Sequence, residues 1–310
     1  MDDKSQYLFG PVPSRRLGRS LGVDIVGFKT CSQNCIYCQL GIDAETTTER
    51  KPYVEIDAVI AELAGRIKTG LNADYITLSG SGEPTLNSQI GNLIRQLKNI
   101  STIPVAVITN GTLLNDPAVR KDLIDADLVL PSLDAGDEET FRKINCPHVE
   151  VSLGSLVEGL CKFRTEYDGE IWLEVFLCEG VNTSSDQIAR IAEIIERVKP
   201  DKIQLNTAVR PVVHHHAVRL DQDHLVEIAG KLGENVEIIA DFSRIIGPKD
   251  DECNSDLVLN MLKRRPCSID DICRGLSISH STARGYIKTL LDKGIIGEKK
   301  LSGVLFFESK

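Results

Sequence analysis

The sequence predicts an α/β protein in two parts: a partial (β/α)6 barrel on a parallel sheet, followed by a small C-terminal winged helix-turn-helix domain. Apolar, β-branched runs alternate with amphipathic helical patterns through most of the chain, as in a parallel sheet whose crossovers are helices. Residues 247–251, rich in Gly, Pro and charge, are typical of a linker. Beyond them, three short helical patterns precede two strands. The predicted domains are therefore residues 1–247 and 252–310.

Six barrel strands are predicted, because each is an apolar run that a helical pattern follows. They are Leu21–Val26, Asp74–Ser79, Pro104–Thr109, Leu128–Leu133, Glu170–Cys178 and Lys202–Ala208, and Val236–Ala240 could add an edge strand. The helices predicted after them are Ile56–Lys68, Ser88–Leu97, Pro117–Ile124, Glu138–Ile144, Ser152–Tyr167, Ser184–Val198 and Asp221–Leu232. Six βα units in series favour an open or partial barrel.

The C-terminal part is predicted to contain serine-capped helices and a hairpin. The helices are Ser255–Arg265, Ser268–Leu276 and Ser279–Lys293, and Gly294–Phe307 forms two strands around a turn at Ser302 and Gly303. Residues 254–310 carry ten Lys or Arg against six Asp or Glu, although the whole chain has a net charge of -9. This contrast indicates a separate module. We expect the module to lie away from the barrel mouth, on its own core, which includes Leu257, Leu262, Leu276 and Leu305.

The composition limits the classes of protein to which the chain can belong. Hydrophobic residues make up 42% and charged residues 26% of the chain, as in an ordinary globular protein. Residues 1–20 contain no apolar signal-peptide core and no run approaches the length of a membrane span, so we expect a cytoplasmic protein. The acidic balance argues against a wholly basic nucleic-acid binder. Nine cysteines in a reducing compartment more often ligate a metal or cluster than form disulfides.

Three cysteines lie in one short loop after the first predicted strand. Cys31, Cys35 and Cys38 have the spacing C-x3-C-x2-C, and thiolates are the usual ligands of iron–sulfur clusters. A structural zinc site would normally use two separated pairs of ligands, and no second C-x2-C follows. Three ligands leave one iron of a four-iron cluster open, as a substrate-binding cluster requires. A zinc or purely structural site is the weaker alternative.

Polar residues also follow the later strands. The segment Ser79-Gly80-Ser81-Gly82-Glu83-Pro84 follows the second strand. An ionised Glu83 only accepts hydrogen bonds, which suits an ammonium group, although a tight turn with a helix-facing acid is the alternative. Strands three, four and six end in further polar side chains: Asn110, Ser132, Asp134, Asn206 and Arg210. Each alone could be a capping residue, but the strand ends of a barrel share one mouth, where chemistry takes place.

These motifs resemble the signature of radical S-adenosylmethionine (SAM) enzymes, in which an aromatic residue, here Tyr37, precedes the last cysteine. Residues 80–84 are similar to that family's Gly-Gly-Glu-Pro segment, with Ser81 where the first glycine is usual. The resemblance implies a radical SAM barrel whose three cysteines hold a [4Fe–4S] cluster, with SAM chelating the open iron. An electron from the reduced cluster then cleaves SAM to methionine and a 5′-deoxyadenosyl radical. The implied SAM contacts are Tyr37, Gly80, Ser81, Gly82, Glu83, Asn110, Ser132 and Asp134.

A narrower resemblance covers about residues 7–212. The runs that carry it are Phe9–Gly18, Ser132–Ala135, Ile144–His148 and Gln204–Thr207. Together they are similar to the branch that includes wyosine-type tRNA-modifying synthases. The implied partners are SAM, a reductant such as a flavodoxin or ferredoxin, and RNA as one possible substrate, although family does not fix substrate.

The C-terminal module leaves two functions open. Its predicted recognition helix presents Ser281, Arg284 and Lys288 on one face, with Lys299 and Lys300 on the wing. Such a surface binds nucleic acid or docks a protein substrate. The alternative to an enzyme is an iron–sulfur, redox-sensing regulator that binds DNA. A regulator has no need of Glu83 or of the polar strand ends, so the sequence favours the enzyme.

Other reactive residues keep two interpretations. Arg15, Arg16 and Arg19 either bind a phosphate or carboxylate of the substrate or lie on a solvated turn. His214–His216 are either a solvated loop or a metal or proton-transfer group. The remaining cysteines either pack as small hydrophobic residues or include a second cluster or a catalytic thiol: Cys146, Cys161 and Cys178 in the barrel, and Cys253, Cys267 and Cys273, which we expect to pack.

Overall fold

The computed structural model describes residues 7–38, 40, 45–208, 218–240, 255–264, 266–276, 278–301 and 304–310. Several predictions fall outside these ranges: Arg210, His214–His216, the linker at 247–251, Cys253, and the turn at Ser302 and Gly303. In the ranges that are described, no helix combines the length and the apolar character needed to cross a membrane.

An eight-stranded sheet forms the larger part of the structure, and its strands follow each other in space as they do in the chain. They are β1 (Leu8–Ser14), β2 (Gly18–Val23), β3 (Tyr75–Leu78), β4 (Val105–Ile108), β5 (Leu128–Leu130), β6 (Glu170–Leu177), β7 (Lys202–Thr207) and β8 (Val236–Ile238). Strands β2 to β8 are parallel, and β1 pairs antiparallel with β2. The six predicted strands correspond to β2–β7 and the predicted edge strand to β8. Strand β1 was not predicted.

Seven helices connect the parallel strands, and each corresponds to a predicted one. They are α1 (Ile56–Lys68), α2 (Ile90–Ile100), α3 (Pro117–Leu123), α4 (Glu138–Asn145), α5 (Leu153–Glu166), α6 (Ser185–Val198) and α7 (Gln222–Leu232). Helix α1 has the predicted bounds, and the largest shift, three residues, is at the end of α2. Ser184 is the N-cap of α6, accepting a hydrogen bond from the Gln187 amide, as the sequence predicts.

Side-chain alternation along the strands divides the sheet into a helix-covered face and an interior face. In β3, Ile76 and Leu78 are fully buried in the main core together with helix residues, whereas Thr77 lines an interior cavity. In β6, Leu173 belongs to the same core and Glu174 lines the cavity. Parallel strands that bury one face under helices therefore place their polar residues inside the barrel.

The C-terminal residues form a separate small sheet and three helices. The elements are α8 (Ser255–Arg264), β9 (Cys267–Ser268), α9 (Ile269–Leu276), α10 (His280–Asp292), β10 (Ile296–Leu301) and β11 (Val304–Ser309). The strands pair antiparallel in the order β10-β11-β9, and the helices bury a core of their own. Leu305 was predicted in that core but is 42% exposed, and it lies one residue pair from the end of the β10–β11 hairpin.

The C-terminal module was predicted to lie away from the barrel mouth, and this prediction is wrong. Helices α8 and α9 pack against β1, and Leu257, Met261 and Leu276 line the interior cavity. Leu257 is only partly buried within the module's own core. An apolar face of these helices therefore packs over the barrel.

Candidate active site

The barrel interior holds a cavity of about 510 Å³ onto which Cys31, Cys35 and Cys38 all open. Six of the eight predicted SAM contacts line it as well: Tyr37, Gly80, Gly82, Glu83, Asn110 and Ser132. Ser81 and Asp134 do not belong to this lining. Loops that follow different strands thus meet in one space, as the polar strand ends predict.

The segment after β3 holds one side of the cysteine loop. The Glu83 amide donates to the Thr30 carbonyl at 2.8 Å, and the Lys29 amide donates to the Ser81 carbonyl at 2.5 Å. A Cβ on Gly82 would lie 2.0 Å from the Thr30 oxygen. Glycine is therefore required at position 82 because the two backbones approach so closely.

The end of α4 holds the other side of the loop. The Asn34 amide donates to the Asn145 carbonyl at 3.0 Å, and the Ile36 amide donates to the Ile144 carbonyl at 2.9 Å. The run Ile144–His148, singled out in the sequence, thus supports the cysteine loop from outside. This gives the run a structural role.

Two amide side chains reach the cysteine sulfurs. Asn110 Nδ2 lies 3.5 Å from Cys31 Sγ and Asn145 Nδ2 lies 3.4 Å from Cys35 Sγ, each as a donor. Burial raises the pKa of Cys31 to about 12 and the pKa of Cys35 well above its usual range. Such thiols ionise when a metal binds them, and donors to sulfur tune a bound cluster. Among the described residues, no three His, Cys, Asp or Glu side chains are already grouped around a single metal position.

Glu83 is held by four hydrogen bonds and is only 2% exposed. Its Oε1 accepts from the Thr85 amide at 3.0 Å, the Thr85 hydroxyl at 2.6 Å and the Thr109 hydroxyl at 2.7 Å, and its Oε2 accepts from the Asn110 amide at 2.6 Å. Burial raises the pKa of this carboxyl, while the donors oppose the shift. Oε2 keeps acceptor capacity toward the cavity.

Tyr37 and Asp134 form one buried network. The Tyr37 ring stacks on Phe176 with centroids 3.8 Å apart, and its hydroxyl donates to the Asp134 carboxylate. Asp134 also accepts from Asn145 Nδ2 at 2.7 Å and from the Phe176 amide at 2.8 Å. Burial raises the pKa of Asp134 to about 6. The carboxylate of Asp134 therefore positions Tyr37 in this structure and does not face the cavity.

Ser81 and the three arginines that the sequence singles out lie in different places relative to the cavity. The Ser81 hydroxyl donates to Asp24 at 2.5 Å, which fixes the turn before Glu83. Arg15 and Arg16 line the cavity. Arg19 instead lies beside Asp74, with a third of its side chain exposed.

The remaining described cysteines lie outside the cavity lining. Cys267 and Cys273 are buried in the C-terminal core, as expected. Cys178 is buried in the main core, which favours its packing interpretation. Cys146 and Cys161 are half-buried and carry free thiols.

Sequence reasoning missed four residues of the site: Thr85, Asn145, Glu174 and Phe176. Asn145 lay within a run that the sequence singled out without a role. Glu174 had a usable signal, because a carboxylate in the middle of an apolar strand has to face a polar interior or solvent. Thr85 and Phe176 carried no comparable signal.

Comparisons with known proteins agree with this geometry. A family model of the radical SAM superfamily matches residues 25–153. The chain is 38% identical over 307 residues to a protein named GTPase Obg from Brachyspira hyodysenteriae, covering 98% of this chain and 45% of that protein. It is 31% identical over 309 residues to a UPF0026 protein of Helicobacter pylori, covering 97% of this chain and 96% of the relative. The chain thus spans less than half of the first relative and nearly all of the second.

A solved structure shows the same fold. The crystal structure of a radical SAM methyltransferase from Sphaerobacter thermophilus matches with a TM-score of 0.55 and 17% identity, covering 71% of this chain and 65% of that chain. A radical SAM domain implies a [4Fe–4S] cluster and SAM as its cofactors. The agreement over almost the whole length of the Helicobacter protein shows that the chain belongs to the UPF0026 family, and it carries a domain of the radical SAM superfamily.

Proposed function

We propose that this protein is an enzyme that binds a [4Fe–4S] cluster through Cys31, Cys35 and Cys38 and uses it to cleave SAM reductively. One observation carries the proposal: three cysteines from a single loop open onto the same cavity as Glu83 and Asn110, which come from two other strand ends. A redox-sensing DNA-binding regulator would not require that convergence.

The residues present fit both groups. Three thiols supply cluster ligands and leave one iron position open, and two amide donors lie within 3.5 Å of their sulfurs. The adjoining cavity, about 510 Å³, lies within the usual size range of small-molecule pockets. Its wall combines an acceptor for an ammonium group, polar strand ends and an aromatic ring: Glu83, Asn110, Ser132 and Tyr37.

When bound and reduced, the cluster would supply the electron that breaks a carbon–sulfur bond of SAM and yields the 5′-deoxyadenosyl radical. The protein's own residues have other tasks. Glu83, kept in place by its four donors, would bind the methionyl ammonium of SAM through Oε2. Asn110 and Ser132 are proposed contacts of the sugar. The apolar side chains of α8 and α9 would exclude water from the reacting groups.

The finer predictions also stand as proposals. We propose a barrel domain of residues 1–247 and a winged helix-turn-helix domain of residues 252–310. The helix, strand and sheet order of α8 to β11 supports the second. The resemblance implies a flavodoxin or ferredoxin as reductant and RNA as a substrate, the C-terminal module implies a docked protein as the alternative substrate, and the sequence composition implies a cytoplasmic location. Gly80 and Gly82 remain proposed direct contacts of SAM, whereas Ser81 and Asp134, which lie outside the cavity lining, are proposed to hold the turn before Glu83 and the Tyr37 ring in place.

The cysteine assignment can be tested by metal content. Protein reconstituted without oxygen should contain about four iron and four sulfide ions per chain. Replacing Cys31, Cys35 and Cys38 together by Ala should abolish both. Cys146→Ala is the matched control, because that thiol is half-buried beside the loop but lies outside the cavity, and it should retain the full content. Unchanged iron in the triple variant, or zinc in place of iron, would refute the assignment.

A further inference from the structure

The turn between β1 and β2 projects an arginine into the barrel. Arg16 lies on this turn, and its Nη2 pairs with Glu174 Oε2 at 2.8 Å. The two side chains are only 13% and 11% exposed. The neighbouring Leu17 is 2% exposed and packs on the interior face against Ala106 and Leu128. The turn is therefore anchored inside the barrel and is not a solvated surface turn.

The partner of Arg16 is itself fixed. Glu174 Oε1 accepts from Asn206 Nδ2 at 2.7 Å, so both carboxylate oxygens have a donor. Asn206 Oδ1 in turn accepts from Arg15 Nη1 at 2.9 Å. This chain of contacts links the β1–β2 turn to β6 and β7 and leaves the guanidinium of Arg16 little freedom to turn.

Arg16 Nη1 is buried and has no hydrogen-bond partner in the part of the chain that the structure describes. A guanidinium stays charged at any ordinary pH, and its donors need acceptors when they are taken out of water. A buried donor of this kind at a cavity wall indicates that a ligand supplies the acceptor.

The cavity defines what else that ligand contacts. Arg16 and Glu174 line the same space as the three cysteines, so a ligand at Arg16 shares the chamber with the proposed cluster and SAM. The wall of the same cavity also includes apolar side chains, Val12 from β1 and Leu257 and Met261 from α8. A carbon skeleton attached to the anion would lie along that wall.

We infer that Arg16 anchors the substrate of the proposed radical reaction, and that this substrate is a small molecule with an anionic oxygen group, a carboxylate or a phosphate ester, on an apolar carbon skeleton. The inference rests on the proposed function for the identity of the ligand as substrate. A guanidinium is the side chain best matched to either anion, because its planar donors fit paired oxygens. The cover of α8 and α9 favours a small ligand over a nucleic-acid strand, which could not enter without displacing it.

The test is a binding comparison on the full-length, reconstituted protein at constant ionic strength. The probes are butanoate and butyl phosphate, with butyramide as the uncharged analogue, and the readout is the saturable shift in the thermal unfolding midpoint. The variant is Arg16→Lys, which keeps a positive charge for Glu174 but has a single nitrogen, so it lacks the separate Nη1 group that would contact the anion. Arg19→Lys is the matched control, because Arg19 comes from the same hairpin and does not line the cavity.

We expect one or both anions to bind the wild type and butyramide to bind at least about tenfold more weakly. Arg16→Lys should weaken anion binding about tenfold, the loss of one charge-assisted hydrogen bond, while Arg19→Lys binds as the wild type does. Binding of butanoate alone identifies a carboxylate, and binding of butyl phosphate alone identifies a phosphate ester. Absence of saturable anion binding, or equal affinity in Arg16→Lys, overturns the inference.

Two measures keep the result decisive. If Arg16→Lys does not fold, the double variant Arg16→Gln with Glu174→Gln neutralises both partners and carries the same comparison. Formation of 5′-deoxyadenosine by the wild type is measured separately. A wild type that cleaves SAM but has no Arg16-dependent anion site overturns this inference alone. A wild type with that site and no cleavage overturns the proposed function instead.

Discussion

At the scale of single residues, burial and hydrogen bonds together determine the state of the Glu83 carboxyl group. Its carboxylate is buried, which raises its pKa, and four donors oppose that effect by stabilising the ionised form. Two of those donors belong to Thr85, in the same turn as Glu83, and the other two belong to Thr109 and Asn110, which follow β4. The four donors thus fix the carboxyl oxygens in place before any ligand arrives, and such preorganised acceptors suit an ammonium group.

Removing this charge should weaken SAM binding. Glu83→Gln keeps one acceptor oxygen for Thr85 and Thr109 but lacks the charge, so the SAM dissociation constant should rise about tenfold to a hundredfold. Equilibrium dialysis with labelled SAM measures it. Glu62→Gln is the control, because that carboxylate also accepts backbone amides, from Tyr7 and Leu8, and should not alter the constant. An unchanged affinity in Glu83→Gln would show that Glu83 does not contact SAM.

At the scale of elements, helix α4 is capped by a side chain at its first turn and contacts the cysteine loop at its last turn. Asp137 is the N-cap of α4 and accepts a hydrogen bond from the Thr140 amide at 2.8 Å. The other end of the helix supplies the carbonyls of Ile144 and Asn145 to the loop. The hydrogen bond from Thr140, together with Gln187 and Arg190, lowers the pKa of Asp137.

Asp137→Ala should lower the free energy of unfolding by about 1 kcal/mol at neutral pH. Because the folded-state pKa is depressed, the contribution of the charge is present above the usual aspartate pKa and is lost as the pH falls through the folded value. The difference between wild type and variant in urea unfolding should therefore shrink in acid. Asp186→Ala, in the exposed first turn of α6, should show little effect. A difference that grows in acid would contradict the sign.

The elements show what the sequence can and cannot predict. The alternating strands and the seven helices between them were predicted, because one buried face gives each a clear period. Strand β1 was missed, because Gly10, Pro11 and Pro13 argue against a strand and are tolerated only at a sheet edge. The cysteines and polar strand ends were predicted from position along the chain. The pairing of Arg16 with Glu174 was not, since it joins elements far apart in sequence.

At the scale of the whole molecule, the C-terminal elements complete the chamber. Three apolar side chains of α8 and α9 line the cavity beside β1, while every cysteine and every proposed SAM contact there comes from residues 31–132. The barrel therefore carries the proposed chemistry and the C-terminal part closes the space around it.

A variant that ends at residue 250 should separate these roles. It should still form 5′-deoxyadenosine, since no proposed ligand of the cluster or of SAM is removed. Its chamber should open to solvent, so the cluster absorbance should decay several times faster in air than in the full-length protein. Leu305→Ala, at an exposed position of the C-terminal sheet, should decay like the wild type. Equal decay in the truncated protein would mean that α8 and α9 do not shield the cavity.

The most direct test of the central claim is SAM cleavage by the reconstituted, dithionite-reduced protein, followed by chromatography with mass detection. The wild type should form 5′-deoxyadenosine and methionine in equal amounts, slowly even without substrate. The variant with Cys31, Cys35 and Cys38 replaced by Ala should form neither, whereas Cys146→Ala should match the wild type. A wild type with a full complement of iron and sulfide that leaves SAM intact, or a triple variant that cleaves it equally well, would contradict the account.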